Sequence, residues 1–204
     1  MMNCRTCLIV ILDIWLIGSA ANPVSPALAA GAEPSPPGAG RHWEIESESL
    51  TPLSANRQID TVSLHILRGK DKPGDSRISH SKGVTITRAW GYTGHPGALR
   101  DNSAVGIGPV CLIRYKLYQG RRAWLSFDLS GGLIFYNDNF PAGGDFYNFM
   151  WRAGPKVSYP VNGHWSWNAG YKWMHVSNGQ KSGGSGRNPG YDAAGFSFGL
   201  TRSF

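Results

Sequence analysis

Over runs of a dozen residues and more, this chain alternates apolar and polar side chains at every second position, which leaves it few folds. In 165–177 the odd positions are Trp165, Trp167, Ala169, Tyr171, Trp173, His175 and Ser177. The even ones are Ser166, Asn168, Gly170, Lys172, Met174 and Val176. A strand sends successive side chains to opposite faces, so a period of two gives it one apolar and one polar face. Residues 146–159 repeat the pattern, with Tyr147, Phe149, Trp151, Ala153, Val157 and Tyr159 opposing Asn148, Met150, Arg152, Lys156 and Ser158. Leu125, Phe127, Leu129, Leu133 and Phe135 oppose Ser126, Asp128 and Ser130, and Phe196, Phe198, Leu200 and Phe204 oppose Ser197, Gly199, Thr201 and Ser203. Segments 61–68, 83–92, 104–118, 123–137, 146–159, 165–177 and 191–204 read as strands, and no helical period competes over them.

Alternation also suits a soluble sandwich whose apolar face turns inward. Strand segments of 12 or more residues, aromatics gathered toward strand ends, and an aromatic last residue, Phe204, favour a membrane barrel instead. Tight turns at 118–122 and 160–164, the second an Asn162-Gly163 hairpin signal, alternate with longer links at 93–103, 138–145 and 178–190. The link at 69–82 breaks that rhythm, being long where a short turn is due. With one short strand near Trp43 the count reaches eight. The expected fold is all-β, an eight-stranded antiparallel outer-membrane β-barrel whose interior is filled by side chains. Composition agrees: 27 glycines, 12% aromatic and only 16% charged residues exclude both a coiled coil and a disordered chain. The net charge of +7 comes without a basic run or a nucleic-acid module, so no nucleic-acid partner is expected.

The N-terminus reads as an export signal over residues 1–29. Arg5 precedes an apolar stretch at 7–21, and Pro26-Ala27-Leu28-Ala29-Ala30 supplies small residues for cleavage after Ala29. Cleavage removes Cys4 and Cys7 and leaves Cys111 alone, so no intramolecular disulfide is expected. Residues 30–60 are rich in Pro, Ser and Gly and read mainly as a linker, with the barrel proper at 61–204.

Five of the six histidines fall in loops, turns or weakly patterned segments, whereas His175 lies on an apolar strand face with Ser177 two residues on. A strand emerging at the membrane interface would tolerate both. A third residue gives the pair a different meaning. Asp192 opens the last strand and shares parity with Phe196, Phe198 and Phe204, so an antiparallel hairpin brings it beside His175 and Ser177 on the lipid-facing side. Ser177 then suits a nucleophile, His175 its base, and Asp192 the group that orients the imidazole. The Gly-rich link at 178–190 can turn backbone N–H groups toward an oxyanion.

Met174-His175-Val176-Ser177-Asn178-Gly179 and Asn188-Pro189-Gly190-Tyr191-Asp192 together resemble the active-site signature of the lipid A 3-O-deacylases, the PagL type of outer-membrane esterase. The resemblance is close over 165–204 and rests on strand rhythm alone over 83–164. It implies a Ser-His-acid site facing the membrane, with Asn178, Asn188 and Gly190 shaping the loop or the oxyanion hole. It also implies hydrolysis of an ester-linked 3-hydroxyacyl chain of lipid A without metal or cofactor. Two departures stand out: the acid is Asp192, where Glu is usual, and the Gly-rich loop is about three residues longer. Lys181 and Arg187 beside the site are candidates for lipid A phosphates, or else ordinary solvated loop residues. The expected surroundings are outer-membrane lipid and lipopolysaccharide, with a homodimer left open. Two alternatives remain: a non-catalytic structural or adhesive barrel, and a phospholipid esterase of the same design.

Overall fold

The computed structural model describes residues 40–70, 77–93, 100–120, 122–179 and 190–204. The expected signal peptide and most of the Pro-rich stretch before Arg41 lie outside the described residues. Eight strands follow in order: β1 (Arg41–Pro52), β2 (Arg57–Lys70), β3 (Ile78–Thr93), β4 (Arg100–Gln119), β5 (Trp124–Tyr136), β6 (Tyr147–Pro160), β7 (Trp165–Ser177) and β8 (Tyr191–Ser203). Each pairs antiparallel with the next, and β8 returns to β1, so the sheet closes into a barrel. Closure satisfies the ladder on both sides of every strand, which a sheet in lipid requires.

Boundaries in the first half of the chain differ from the sequence reading, with β2 beginning at Arg57 and β4 at Arg100. The segment read mainly as linker carries β1, a full 12-residue strand. Its inward residues are His42, Glu44, Glu46, Glu48 and Leu50, and its outward ones include Ser47 and Ser49, so the apolar-polar contrast that marks the other strands is missing. The link read at 69–82 is also shorter, because β2 runs to Lys70 and β3 begins at Ile78. Three histidines assigned to loops or weak segments, His42, His65 and His80, are strand residues, and the first two point inward.

The wall has the reverse of a water-soluble polarity. Outward stand large apolar side chains such as Ile45, Ile66, Ile86, Ile107, Leu129 and Trp167, while Phe196 and Phe198 are 63% and 62% exposed. Inward stand charges. Four carboxylates (Glu44, Glu46, Glu48 and Asp128) interlock with four cations (Arg114, Arg152, Lys156 and Lys172) across the barrel. Arg114 meets Asp128 at 2.8 Å and Glu44 at 3.0 Å. Lys156, 1% exposed, meets Glu46 at 2.7 Å and also pairs with Glu44. Arg152 donates to Glu48 at 2.6 Å, and His65 lies 3.3 Å from the same carboxylate. Ionic groups taken out of water persist when each finds a counter-charge and a hydrogen bond. This network is what fills the middle of the barrel.

Above it, toward the rim that carries the β5–β6 and β7–β8 links, the filling becomes aromatic. Phe140 from the β5–β6 link is fully buried, with its ring 5.0 Å from that of Tyr136 and 6.2 Å from that of Tyr191. The link therefore folds back over the barrel mouth and is held by its own residues. Lys156→Met is expected to lower the unfolding free energy in detergent or lipid by about 3–5 kcal/mol, because it leaves buried Glu44 with Arg114 alone and Glu46 with only the more distant Lys172. Urea titration of the refolded barrel, followed by heat-modifiable gel mobility, measures this; an unchanged midpoint would mean that the network contributes nothing.

Candidate active site

Register places the candidate residues. In the β7–β8 hairpin His175 pairs directly with Asp192, and Trp173 with Ala194. In the β6–β7 pair Trp151 stands opposite His175 and Phe149 opposite Ser177. Directly opposed residues put their side chains on the same face of the sheet. That face is the outer one: along β7 the inward set Lys172, Met174 and Val176 is buried, while Trp173, His175 and Ser177 are not.

His175 Nδ1 lies 2.7 Å from Asp192 Oδ1, the distance of a charge-assisted hydrogen bond. A carboxylate at that position selects the imidazole tautomer with its proton on Nδ1, which leaves Nε2 with a free lone pair. The Trp151 ring stacks on the imidazole at 6.1 Å between centroids and 29° between planes, which limits rotation of the ring. The His175 side chain is 35% exposed and that of Asp192 53%, so neither is enclosed by protein. Ser177, half-buried at the end of β7, projects from the same face two residues further on. A base held by an acid can remove the proton of a hydroxyl that comes within its hydrogen-bond reach.

The remaining candidates divide. Asn178 is 3% exposed and points the opposite way from Ser177, into the rim, where its Nδ2 donates to Asp145 Oδ2 at 3.2 Å. Gly190 is buried, and its carbonyl accepts a hydrogen bond from Arg57 at the start of β2. The Leu53 N–H donates to the Asp192 carbonyl at 3.0 Å, so the chain around the acid is held at two points by the β1–β2 turn. Asn188, Lys181 and Arg187 lie outside the described residues. Asp145, Trp151 and Arg57 were not among the site residues of the sequence reading. Trp151 was legible in principle as the outward residue opposite His175; the other two depend on loop and rim contacts that no strand pattern encodes.

Buried Glu46, Glu48 and His65 bring one potential metal-ligating atom each within 4.8 Å of one another. Arg152 bonds Glu48 and Lys156 bonds Glu46, so these carboxylates already have cationic partners. The cluster lies inside the barrel, on the opposite face of the wall from His175.

A protein-family model described as "Lipid A 3-O-deacylase (PagL)" matches residues 74–201, well over half of the chain. None of the curated proteins compared with the sequence matches it. A crystal structure described as that of the outer membrane enzyme PagL is similar, with a TM-score of 0.54 at 14% identity, covering 76% of this chain and 97% of the other. A solid-state NMR structure of the outer membrane protein AlkL in DMPC bilayers has a TM-score of 0.38 at 13% identity, covering 90% and 97%. The first of these shares the fold.

The His175–Asp192 contact yields a spectroscopic prediction. In protein labelled with 15N-histidine, His175 should carry its proton on Nδ1 with a strongly downfield 1H resonance, and Asp192→Ala should abolish that resonance. A signal unaffected by Asp192→Ala would show that the carboxylate does not hold the ring.

Proposed function

This chain belongs to the PagL family of lipid A 3-O-deacylases, and we propose that it hydrolyses the ester at the 3-O position of lipid A through Ser177, His175 and Asp192. Membership makes it an ester hydrolase acting on lipid A, and membership with the barrel fold makes it a bacterial outer-membrane protein. The observation that carries the finer reading is the 2.7 Å contact between His175 Nδ1 and Asp192 Oδ1 on the lipid-facing side, with Ser177 projecting from the same face.

The chemistry follows from those three groups. Nε2 of His175 takes the Ser177 proton as Oγ attacks the ester carbonyl of the acyl chain. Asp192 stabilises the imidazolium that forms. Backbone N–H groups following Ser177 receive the oxyanion. Collapse of the tetrahedral intermediate expels the sugar 3-hydroxyl, which recovers its proton from His175. Water, deprotonated by the same imidazole, then releases the 3-hydroxy fatty acid and regenerates Ser177.

Location supports this substrate. With the end of β8 in the periplasm, the rim bearing Ser177 and Asp192 lies at the outer leaflet, where lipid A resides. An acyl chain there lies against the wall among Phe149, Trp151, Trp173 and Phe196, so the ester need not leave the membrane to meet Oγ. Export by removal of residues 1–29 belongs to the same proposal.

Ser177→Ala and His175→Ala should each cut the rate about 10⁶-fold, and loss of the acid about 10⁴-fold, by comparison with other serine triads. Asp192→Glu is expected to retain activity, since the resemblance implies that such sites accept the longer acid. Mass spectrometry of lipid A incubated with purified, heat-modifiable variants measures this as loss of one 3-hydroxyacyl group. Full activity in folded Ser177→Ala would leave a barrel without this chemistry, and fatty acid released from phospholipid alone would identify a different esterase.

A further inference from the structure

Asn178 follows the proposed nucleophile directly, yet its side chain turns away from it. Strand parity puts Ser177 on the outer face and Asn178 on the inner one, where it is 3% exposed. The chain then bends at Gly179, whose φ of +76° lies in the left-handed region that glycine tolerates best. An amide buried at that point can only reach inward, and it finds Asp145 Oδ2 at 3.2 Å.

Asp145 sits on an unusually well-tied loop. The Phe140 N–H donates to the Asp145 carbonyl at 3.2 Å, Gly144 N–H to the Pro141 carbonyl at 2.7 Å, and Tyr136 N–H to the Phe146 carbonyl at 2.6 Å. Asn148 Nδ2 donates to the Phe140 carbonyl at 2.7 Å, and the Phe140 ring is anchored between Tyr136 and Tyr191 inside the barrel. The main chain that carries the Asp145 carboxylate is therefore tied to the core. The Asn178 amide is tied to that carboxylate across 33 residues of sequence.

We propose that Asp145 is a positioning residue for the esterase reaction: through Asn178 it holds the backbone after Ser177 so that its N–H groups serve as oxyanion donors. The inference rests on the Ser177 reading above. The residue after a nucleophilic serine supplies an oxyanion donor from its backbone in other hydrolases, so the nearest candidates are the N–H groups of Asn178 and Gly179. A side chain buried on the inner face shapes this hole from behind, and the donors themselves belong to the main chain. Donors of this kind act only when held where the charge develops. A free loop after Ser177 would offer the same N–H groups at varying positions, and a displacement of about 1 Å costs on the order of 100-fold in rate.

The test compares Asp145→Ala with Asp145→Asn in the full-length barrel, with two readouts. Amide hydrogen exchange over residues 178–179 reports the brace without requiring any activity, while steady-state deacylation of lipid A reports its use. Asp145→Ala should speed exchange at 178–179 and leave the strands unchanged, and should lower kcat about 10- to 100-fold with little change in KM. Asp145→Asn keeps an oxygen that accepts from Asn178 Nδ2, so both readouts should return close to wild type. Unchanged exchange at 178–179 in Asp145→Ala would overturn the brace, whatever the activity. A KM rise with constant kcat, or failure of Asp145→Asn to rescue, would overturn the positioning role. Ser177→Ala, assayed in parallel, separates these outcomes from failure of the esterase reading itself.

Discussion

Lys156 stands inside a closed wall with almost no access to solvent, and the structure around it follows from the need to neutralise its charge. Glu44 and Glu46 reach it from β1, and Asp128 from β5 lies 3.6 Å away. Arg114 and Lys172 then share Asp128, which extends the pairing to β4 and β7. A single interlocked set therefore joins β1, β4, β5, β6 and β7. Remove one member and its partners keep fewer counter-charges in a buried setting, which is costly. An apolar core would satisfy a soluble protein, but here lipid already covers the outside. With apolar side chains outward, polar ones on the inside distinguish the two faces and set the register, since a slip by one residue would drive charges into lipid.

That same inversion leaves a polar pair on the outer surface as an exception. A histidine and a carboxylate on a lipid-facing wall are costly alone, yet His175 and Asp192 are paired at 2.7 Å and lie close to the rim. Their cross-strand pairing comes from the β7–β8 hairpin itself, so the contact needs no long-range packing to form. The interior contributes indirectly. Tyr191, buried against Phe140 and Tyr136, fixes the beginning of β8 from within while its neighbour Asp192 faces out. Adjacent residues on a strand thus point to opposite faces, one anchoring to the core and one facing outward.

Readability along the chain followed the contrast between the two faces. In β5 to β8 aromatics oppose polar or charged residues, so strand ends and side-chain directions could be read to within a few residues. The Ser177–His175–Asp192 face followed from the same parity. In β1 the contrast fails, because glutamates alternate with serines as often as with apolar residues, and a polar segment reads as linker. Its full length as a strand becomes intelligible only once Lys156, Arg114 and Arg152 are seen across the barrel. Asp145 and Asn178 were unreadable as a pair for a related reason: their contact depends on how a loop folds over the mouth.

By itself the sequence determined what is local: the period of two, the polarity of each face, the hairpin that sets Asp192 against His175, and the turn chemistry between strands. These depend on neighbours in the chain or on the next strand, and hydrogen-bond geometry carries them without reference to the rest of the molecule. Only the tertiary structure decided which buried charge answers which, that β1 runs to a full 12 residues, and that Asn178 is held by Asp145. Each of those is a choice of partner across a closed barrel, and closure brings together residues whose separation along the chain says nothing about their distance in space.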